Sequence, residues 1–315
     1  MSKVFVIADV HLKPWIFEAA EDELSKGAYD RVVCLGDLVD DWGQEYNLNL
    51  YEETLDTVAK FMKRHPDMLF CYGNHDLSYE WEALESGYSP AARNTVLQGL
   101  SKLRKTLPPE NIAIIHKVDD VLFSHAGLSQ PFVSHFFPDH EGELDSLLER
   151  INGFGRSELW NDASPLWARP QDGRIEMYPG VTLQVVGHTP VKSTDYFNGV
   201  LSVDNFSTFR NGNPIGDQKF VWVDTATGQW GFSNKGMIPE ELPDPKLDYR
   251  TYKLGDTVRF ETIKPGSKEP EIVEGVVSTI DRFPDGSSSI DVFNADILYK
   301  HIPLSSVISV NGQEG

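Results

Sequence analysis

Three apolar runs in the first part of the chain each end in side chains that bind metals or transfer protons. The runs cover residues 4–8, 32–35 and 69–72. The polar clusters that follow them are Asp9-Val10-His11, Gly36-Asp37-Leu38-Val39-Asp40 and Gly73-Asn74-His75-Asp76. Short apolar runs of this kind are typical of buried strands, and parallel strands present their carboxyl ends at one edge of the sheet. The pattern therefore predicts a metal site at that edge.

Two histidines further along the chain follow strand-like runs in the same way. His125 comes after the run 121–123, and His188 comes after the run 182–186. The candidate metal ligands are Asp9, His11, Asp37, Asn74, His125 and His188. Carboxylate, amide oxygen and imidazole together suit Mn²⁺, Fe or Zn²⁺ better than Ca²⁺. The lack of cysteine among the candidates argues against a structural zinc site. Two such ions about 3.5–4 Å apart would generate a nucleophile at neutral pH and hold a phosphate.

The elements that must position these residues alternate between strand and helix. Helices are predicted at 14–26 and 51–64, between the three apolar runs, which indicates a parallel α/β unit. A further helix is predicted at 89–107. Residues 112–115 and 121–123 predict a hairpin, and a β-rich stretch follows to about residue 235.

The last part of the chain has a different pattern. Prolines and acidic residues cluster over 238–248 and predict a linker. Short strand-like runs separated by turns follow, which predicts a small SH3-like β-barrel. The predicted division is a catalytic domain at 1–235, a linker at 236–249 and the barrel at 250–315.

Composition narrows the classes of function. The chain has 315 residues and a formal net charge of −20, so general nucleic-acid binding is not expected. The two cysteines, Cys34 and Cys71, lie inside apolar runs and are predicted to be buried free thiols, which suits a reducing compartment. No apolar run approaches the roughly 18 residues that a membrane helix needs. We therefore expect a cytoplasmic protein that does not bind membranes.

Taken together, five motifs resemble, in order, the signature of the calcineurin-like metallophosphoesterases. They are Asp9-x-His11, Gly36-Asp37-x-x-Asp40, Gly73-Asn74-His75-Asp76, His125-Ala126-Gly127 and Gly187-His188-Thr189-Pro190. The resemblance covers residues 3 to about 225 and implies an α/β fold, an αββα sandwich. Within the superfamily the chain resembles the phosphoprotein-phosphatase branch, on the strength of 124–128, 165–170 and 187–190. Bacterial and phage-type members of that branch include serine/threonine phosphatases and diadenosine-tetraphosphate hydrolases.

The resemblance implies a role for each motif residue. Asp9, His11 and Asp37 would hold a first divalent ion, and Asp37 would bridge to a second. The second ion would be held by Asp37, Asn74, His125 and His188. A hydroxide bridging the two ions would attack phosphorus in line. His75 would act as the general acid that protonates the leaving oxygen, and Asp40 would orient and charge it.

The chain departs from the family pattern just after Asp40. Phosphoprotein phosphatases usually have Arg-Gly there, and the Arg binds phosphate, whereas this chain has Asp41-Trp42-Gly43. An acidic side chain at this position is expected to repel phosphate. Arg169 is then the first candidate for binding phosphate, because guanidinium groups pair bidentately with phosphate, and Arg93 is the second. A further departure is Val203-Asp204-Asn205, where many relatives have Asp-Thr-Gly.

Three functions are compatible with these residues. The first is a two-metal phosphomonoesterase of the serine/threonine protein phosphatase type, acting on a phosphoprotein or a small phosphoester. The second is a dinucleoside-polyphosphate or cyclic-nucleotide hydrolase, in which Trp42 would stack on a base. The third is a binding protein without catalysis that docks partners through its C-terminal barrel. The complete ligand set argues against the third, although the barrel remains a candidate protein-interaction module.

Overall fold

The computed structural model describes residues 2–138, 143–173, 175–236, 253–262, 271–282, 288–295 and 297–314. The chain divides into two compact units, Met1–Pro239 and Glu240–Gly315. The predicted linker at 236–249 lies, apart from Gly236, outside the described residues.

The first unit contains eleven strands and seven helices among its described residues. In chain order they are β1 (Lys3–Ile7), α1 (Trp15–Lys26), β2 (Arg31–Cys34), α2 (Leu48–Arg64), β3 (Leu69–Cys71), α3 (Asn74–Trp81), α4 (Arg93–Arg104), β4 (Ile112–Ala113), β5 (Ile115–Val118), β6 (Val121–Ser124), α5 (Gln130–Phe136), α6 (Leu144–Asn152), α7 (Arg156–Leu159), β7 (Leu183–Val186), β8 (Asp195–Phe197), β9 (Val200–Ser202), β10 (Val221–Asp224) and β11 (Trp230–Phe232). The longest helix, α2, has 17 residues. None of the described helices is long and apolar enough to span a bilayer.

Two sheets form the centre of this unit. The first has the order β11-β10-β1-β2-β3-β4, and β1 to β4 run parallel. The second has the order β5-β6-β7-β9-β8. The chain passes from one sheet to the other at Ile114, because β4 pairs with β3 while β5 pairs with β6. The single strand predicted at 112–115 is therefore two short strands.

The two sheets pack face to face through an apolar layer. Val6 and Val33 of the first sheet lie in one cluster with Phe123 and Val185 of the second. The other face of the first sheet packs against α1, α2 and α4, and the other face of the second packs against α5, α6 and α7. Helix α2 buries residues spaced three and four apart, as its sequence predicts. The result is the mixed α/β architecture expected from the sequence.

The second unit contains an antiparallel sheet. Its strands are β12 (Thr257–Thr262), β13 (Glu271–Arg282), β14 (Ser288–Asn294), β15 (Ile297–Pro303), β16 (Val307–Val310) and β17 (Gln313–Glu314). Their order is β15-β14-β13-β12-β16-β17. One face carries a small apolar core that includes Val258, Phe260 and Ile290. The closure of this sheet into an SH3-like barrel stays a prediction.

A buried histidine on β5 makes stability depend on pH. His116 is 8% exposed, and its Nε2–H donates to the Phe70 carbonyl at 3.1 Å. Burial lowers the pKa of His116 to about 4. Because this folded-state pKa lies below the value of about 6.5 in an unfolded chain, its contribution to stability is complete above pH 6.5. The contribution is lost as the pH falls toward 4.

We expect His116→Phe to remove this part of the acid sensitivity. The free energy of unfolding of the wild type should fall by up to roughly 3 kcal/mol more than that of the variant between pH 6.5 and 4. Urea unfolding with chelator present at each pH measures the difference. Parallel pH dependences of the two proteins would contradict the assignment.

Candidate metal centre

The predicted ligands all stand at the carboxyl ends of strands. Asp9 follows β1, Asp37 follows β2, Asn74 follows β3, His125 follows β6 and His188 follows β7. Asp37 and His188 have φ of 48° and 64°, and His11 and Asp40 also lie in the left-handed region. Non-glycine residues adopt this region at a cost of about 1–3 kcal/mol, and such residues cluster at functional sites. The tight turns direct these side chains back toward one another.

Glycines in two motifs leave room for the carboxylates. A Cβ added to Gly73 would lie 2.0 Å from Asp37 Oδ1, and one added to Gly187 would lie 2.0 Å from Asp9 Oδ1. No side chain fits at either position without displacing the carboxylate. The glycines of the third and fifth motifs are therefore required by packing against two of the candidate ligands.

Asp37 lies between the other ligands. Its Oδ2 is 3.7 Å from His11 Nε2 and 3.2 Å from His125 Nε2. Around His125 Nε2, Asn74 Oδ1 lies at 2.8 Å and His188 Nδ1 at 3.0 Å. Asp9 completes the cluster, since its Oδ2 is 4.0 Å from His11 Nε2. All six predicted ligands are thus brought together, with Asp37 Oδ2 between the rings of His11 and His125.

Hydrogen bonds outside the cluster set the histidine tautomers. The Nδ1–H of His11 donates to the Asp40 carbonyl at 2.8 Å, and the Nδ1–H of His125 donates to the Leu35 carbonyl at 3.0 Å. Each ring therefore presents the lone pair of Nε2 to the cluster, as metal-bound histidines do. Oxygen and nitrogen lone pairs converge within one buried volume, which is unfavourable unless cations lie between them. The donor set fits two divalent ions, in the groups around His11 and around His125.

The buried charges of the cluster also indicate that it binds cations. Burial raises the pKa of Asp9 well above its usual value, and the Asp204 carboxylate raises it further. Burial alone would lower the pKa of His125, but the charges of Asp37 and Asp9 outweigh it and raise that pKa to about 9, so a proton and a metal ion compete for Nε2 of this ring. Asp204 is itself buried, and its Oδ2 has no hydrogen-bond partner within the part of the chain that the structure describes. Cations in the cluster would relieve this concentration of buried negative charge.

The predicted general acid stands beside the cluster. His75 Nδ1 is 3.0 Å from Asp40 Oδ2. The other carboxylate oxygen of Asp40 accepts hydrogen bonds from the hydroxyls of Tyr51, at 2.7 Å, and Tyr79. Burial alone would lower the pKa of His75, but the charges of Glu85, Asp37 and Asp40 raise it well above its usual value. The imidazolium form is therefore favoured, and Nε2 is the nitrogen left to donate to a leaving oxygen.

Several residues of the site were not predicted from the sequence. Asp76 accepts hydrogen bonds from the backbone N–H groups of Asp37, Leu38 and Gly73, each at 2.9 Å. Burial and then Asp37 raise the pKa of Asp76 to about 7. Its place at the third position of α3 allows the bond back to the Gly73 N–H, which is one half of a capping box, but no local pattern predicts the bonds to Asp37 and Leu38. Tyr51, Tyr79 and Glu85 carry no comparable local signal.

The two candidate phosphate ligands have different surroundings. Arg169 is exposed, and its Nη1–H donates to Thr189 Oγ1 at 3.1 Å. Thr189 directly follows His188, so this contact places the guanidinium beside the cluster. Burial, followed by the Arg169 charge, holds the pKa of His188 well below its usual value. Arg93 is the first residue of α4 and forms a surface ion pair with Glu82. The phosphate-binding roles of both arginines stay predictions.

Asp41, which occupies the family's arginine position, is not an isolated negative charge. Lys13 Nζ lies 3.0 Å from Asp41 Oδ2 and also donates to the His11 carbonyl at 3.0 Å. This pairing reduces the repulsion of phosphate that the sequence led us to expect, because the two opposite charges compensate. The neighbouring Trp42 ring carries the Arg210 guanidinium over its face, 4.5 Å from the centroid.

Comparison with known proteins agrees with this geometry. The model of the calcineurin-like phosphoesterase family matches residues 2–192, and the chain belongs to this family. It is therefore a metal-dependent phosphoester hydrolase by family, and members generally bind two divalent ions. This confirms the superfamily predicted from the motifs.

The solved structures that match the chain do so at low sequence identity and low TM-score. One is an archaeal phosphodiesterase, 13% identical, covering 73% of this chain and 98% of that chain with a TM-score of 0.35. A metallophosphoesterase from Sphaerobacter thermophilus is 14% identical and covers 73% of this chain and 86% of that chain, with a TM-score of 0.36. A hypothetical protein from Pyrococcus horikoshii OT3 is 13% identical and covers 76% and 90% of the two chains, with a TM-score of 0.41. No curated protein matches the chain.

Proposed function

We propose that the chain is a two-metal phosphomonoesterase of the phosphoprotein-phosphatase type. The observation that carries this proposal is the His75–Asp40 pair, with 3.0 Å between Nδ1 and Oδ2, next to the bridging carboxylate of Asp37. A positioned acid matters most when the leaving group is a poor one, and a serine or threonine alkoxide is such a group. The proposed substrate is therefore a phosphoserine or phosphothreonine protein, or a small alkyl phosphate.

In the proposed mechanism, each group of residues has one task. When bound, the two ions would supply a hydroxide nucleophile at neutral pH and neutralise phosphate charge. Asp9, His11 and Asp37 would hold one ion, and Asp37, Asn74, His125 and His188 the other. Arg169 orients the phosphate for in-line attack. His75 donates its Nε2 proton to the leaving oxygen, while Asp40 holds the ring and favours its charged form.

The choice of metals and partners is also a proposal. Mn²⁺ is the proposed ion, with Fe or Zn²⁺ as alternatives, because the donors are carboxylate, amide oxygen and imidazole. The second unit is proposed to bind proteins in the cytoplasm. It exposes Val276, Phe293 and Leu298, which the strand register places directly opposite one another across β13, β14 and β15. An exposed apolar row of this kind is typical of interaction surfaces.

A nucleotide hydrolase is the second candidate. The Trp42 ring and the Arg210 guanidinium stand next to Asp41, where phosphoprotein phosphatases have their phosphate-binding arginine. An aromatic ring with a cation beside it suits a base and its phosphates. Dinucleoside polyphosphates or cyclic nucleotides would then be the substrates.

A substrate panel with Mn²⁺ separates the two functions. It includes a phosphoserine peptide, p-nitrophenyl phosphate, bis(p-nitrophenyl) phosphate, a dinucleoside tetraphosphate and a cyclic nucleotide. We expect the phosphopeptide and p-nitrophenyl phosphate to be hydrolysed with the highest kcat/KM. Fast cleavage of a nucleotide with the phosphopeptide untouched would replace the first proposal by the second. No hydrolysis of any substrate would favour a binding protein.

The phosphate-binding role of Arg169 has its own test. Arg169→Ala is expected to lower kcat/KM for a phosphomonoester by about 10–100-fold, because one or two charge-assisted hydrogen bonds are lost. Arg169→Lys should recover only part of the loss, since an ammonium group cannot bind bidentately. Steady-state kinetics compare these variants with Arg64→Ala, which removes an exposed arginine paired with Glu21. A large loss in Arg93→Ala with none in Arg169→Ala would reverse the assignment.

A further inference from the structure

Glu85 lies between the candidate metal cluster and the general acid. It belongs to the segment between α3 and α4, and its side chain is 5% exposed. Its Oε2 accepts a hydrogen bond from Asn74 Nδ2 at 2.6 Å, and its Oε1 is 3.7 Å from His75 Nδ1. No motif of the family resemblance includes Glu85. Its contacts with Asn74 and His75 indicate a positioning role at the site.

The contact with Asn74 fixes the orientation of an amide. Asn74 Nδ2 is the donor in this contact and Glu85 Oε2 is the acceptor, and an ionised carboxylate can only accept. The amide oxygen then points the other way, where Oδ1 lies 2.8 Å from His125 Nε2. A flipped amide would present NH₂ to the cluster, and that group cannot coordinate a cation. The orientation that allows Asn74 to act as a ligand is therefore the one that Glu85 selects.

The segment that carries Glu85 is held against the general acid. Gly87 has φ 84°, and a Cβ at that position would lie 3.2 Å from the Cβ of Asp40. Two residues further on, the backbone N–H of Ser89 donates to the Tyr79 hydroxyl at 2.9 Å. The same Tyr79 hydroxyl donates to Asp40. Glu85 is thus positioned by a loop that is anchored at both Asp40 and Tyr79.

We propose that Glu85 is a positioning residue that holds the Asn74 amide with its oxygen toward the second metal position, and so sets the affinity of that position. The inference rests on the proposed two-metal site. Hydrogen-bond partners that orient metal ligands typically change metal affinity by about 10–100-fold when they are removed. Loss of Glu85 should therefore weaken the binding of one of the two ions and leave the binding of the other unchanged.

Titration calorimetry of the full chain with Mn²⁺ tests this inference. Glu85→Met removes the acceptor at similar size, and it should weaken one of two binding events by about 10–100-fold. Glu85→Gln can turn its amide oxygen toward Asn74 Nδ2, and it should stay within about threefold of the wild type. Glu110→Met, at an exposed glutamate, is the matched control. An unchanged titration for Glu85→Met would overturn the inference, as would an equal loss for Glu85→Gln.

A double substitution adds a readout that a merely structural role would not produce. In Asn74→Asp both side-chain oxygens are equivalent, so the orientation of the group no longer matters. Adding Glu85→Met to Asn74→Asp should cause no further loss of Mn²⁺ affinity, and an additive loss would overturn the inference. The unfolding midpoint of each variant checks that it is folded. If Glu85→Met unfolds at a lower midpoint than the wild type, Glu85→Ala, which removes the same acceptor, replaces it in both experiments.

The Mn²⁺ titrations and the hydrolysis assays can fail independently of each other. If the wild type binds two Mn²⁺ ions but hydrolyses no phosphomonoester, the function fails while the Glu85 titrations still decide the inference. If Glu85→Met binds Mn²⁺ as the wild type does, the inference fails and the function stands.

Discussion

Asp37→Asn is expected to cause a very large loss of turnover, because this carboxylate lies between the two groups of candidate metal ligands. Asp37 Oδ2 is within 3.7 Å of His11 Nε2 and 3.2 Å of His125 Nε2. An amide at this position lacks the charge that a bridging ligand supplies to two cations. Without the ions, a water with a pKa of about 15.7 would have to attack, and kcat should fall by on the order of 10⁴-fold. Phosphate release from p-nitrophenyl phosphate with saturating Mn²⁺ measures this loss.

Metal content distinguishes this explanation from a general loss of structure. After dialysis against Mn²⁺ and removal of free metal, the variant should hold fewer ions per chain than the wild type. Asp56→Asn, which removes a surface carboxylate paired with Lys102, is the matched control and should behave as the wild type. Full activity of Asp37→Asn would refute the bridging role.

The loss expected for His75→Asn depends on the leaving group. For an alkyl phosphate such as a phosphoserine peptide, kcat should fall by about 10²–10⁴-fold, the usual contribution of a general acid. For 2,4-dinitrophenyl phosphate the loss should be less than about tenfold, because that leaving group departs without protonation. Single-turnover rates for both substrates give the comparison. Equal losses for the two substrates would contradict a role in protonating the leaving oxygen.

The pH dependence provides an independent check of the same role. His75 must be protonated to act, and the nearby carboxylates raise its pKa well above the ordinary value. The rate with the alkyl phosphate should therefore hold through neutral pH and decline only as the pH rises through this raised pKa. His75→Asn should lack that alkaline decline. Asp40→Asn should move the decline to lower pH, because the imidazolium loses one neighbouring negative charge.

The clustering of the candidate metal ligands could be predicted because each stands at a strand end within a short motif. Asp37, Asn74 and His125 follow apolar runs that the sequence shows directly. Parallel pairing of β2 with β3 brings Asp37 and Asn74 together. His125 follows β6 of the second sheet and joins them because the two sheets pack face to face. The residues that orient them have no such pattern. Tyr51 lies on α2 while Asp40 precedes that helix, and Glu85 lies beyond the end of α3, which begins at Asn74. Neither pair shares one helix or strand, so no periodic spacing predicts these contacts. Only the path of the folded chain makes them neighbours.

The fold shows a similar division. The alternation of apolar runs and helical spacing predicted the parallel strands β1 to β3 and the helices α1 and α2 between them, since those patterns reflect burial on one face. The antiparallel pairing of β10 with β1 in the same sheet was not predicted. The break at Ile114 was not predicted, because the run 112–115 is apolar throughout and could be buried in either sheet. The pairing of Lys13 with Asp41 was also missed, because it joins the loops that follow two different strands. Short-range patterns carry no information on which loops meet.

The most direct test of the two-metal hydrolase is the rate of phosphate release as a function of Mn²⁺ after chelator treatment. We expect no hydrolysis of p-nitrophenyl phosphate by the metal-free protein. Activity should return and saturate when two ions are bound per chain. Hydrolysis that is unaffected by the chelator, or no hydrolysis at any Mn²⁺ concentration, would contradict the proposed function.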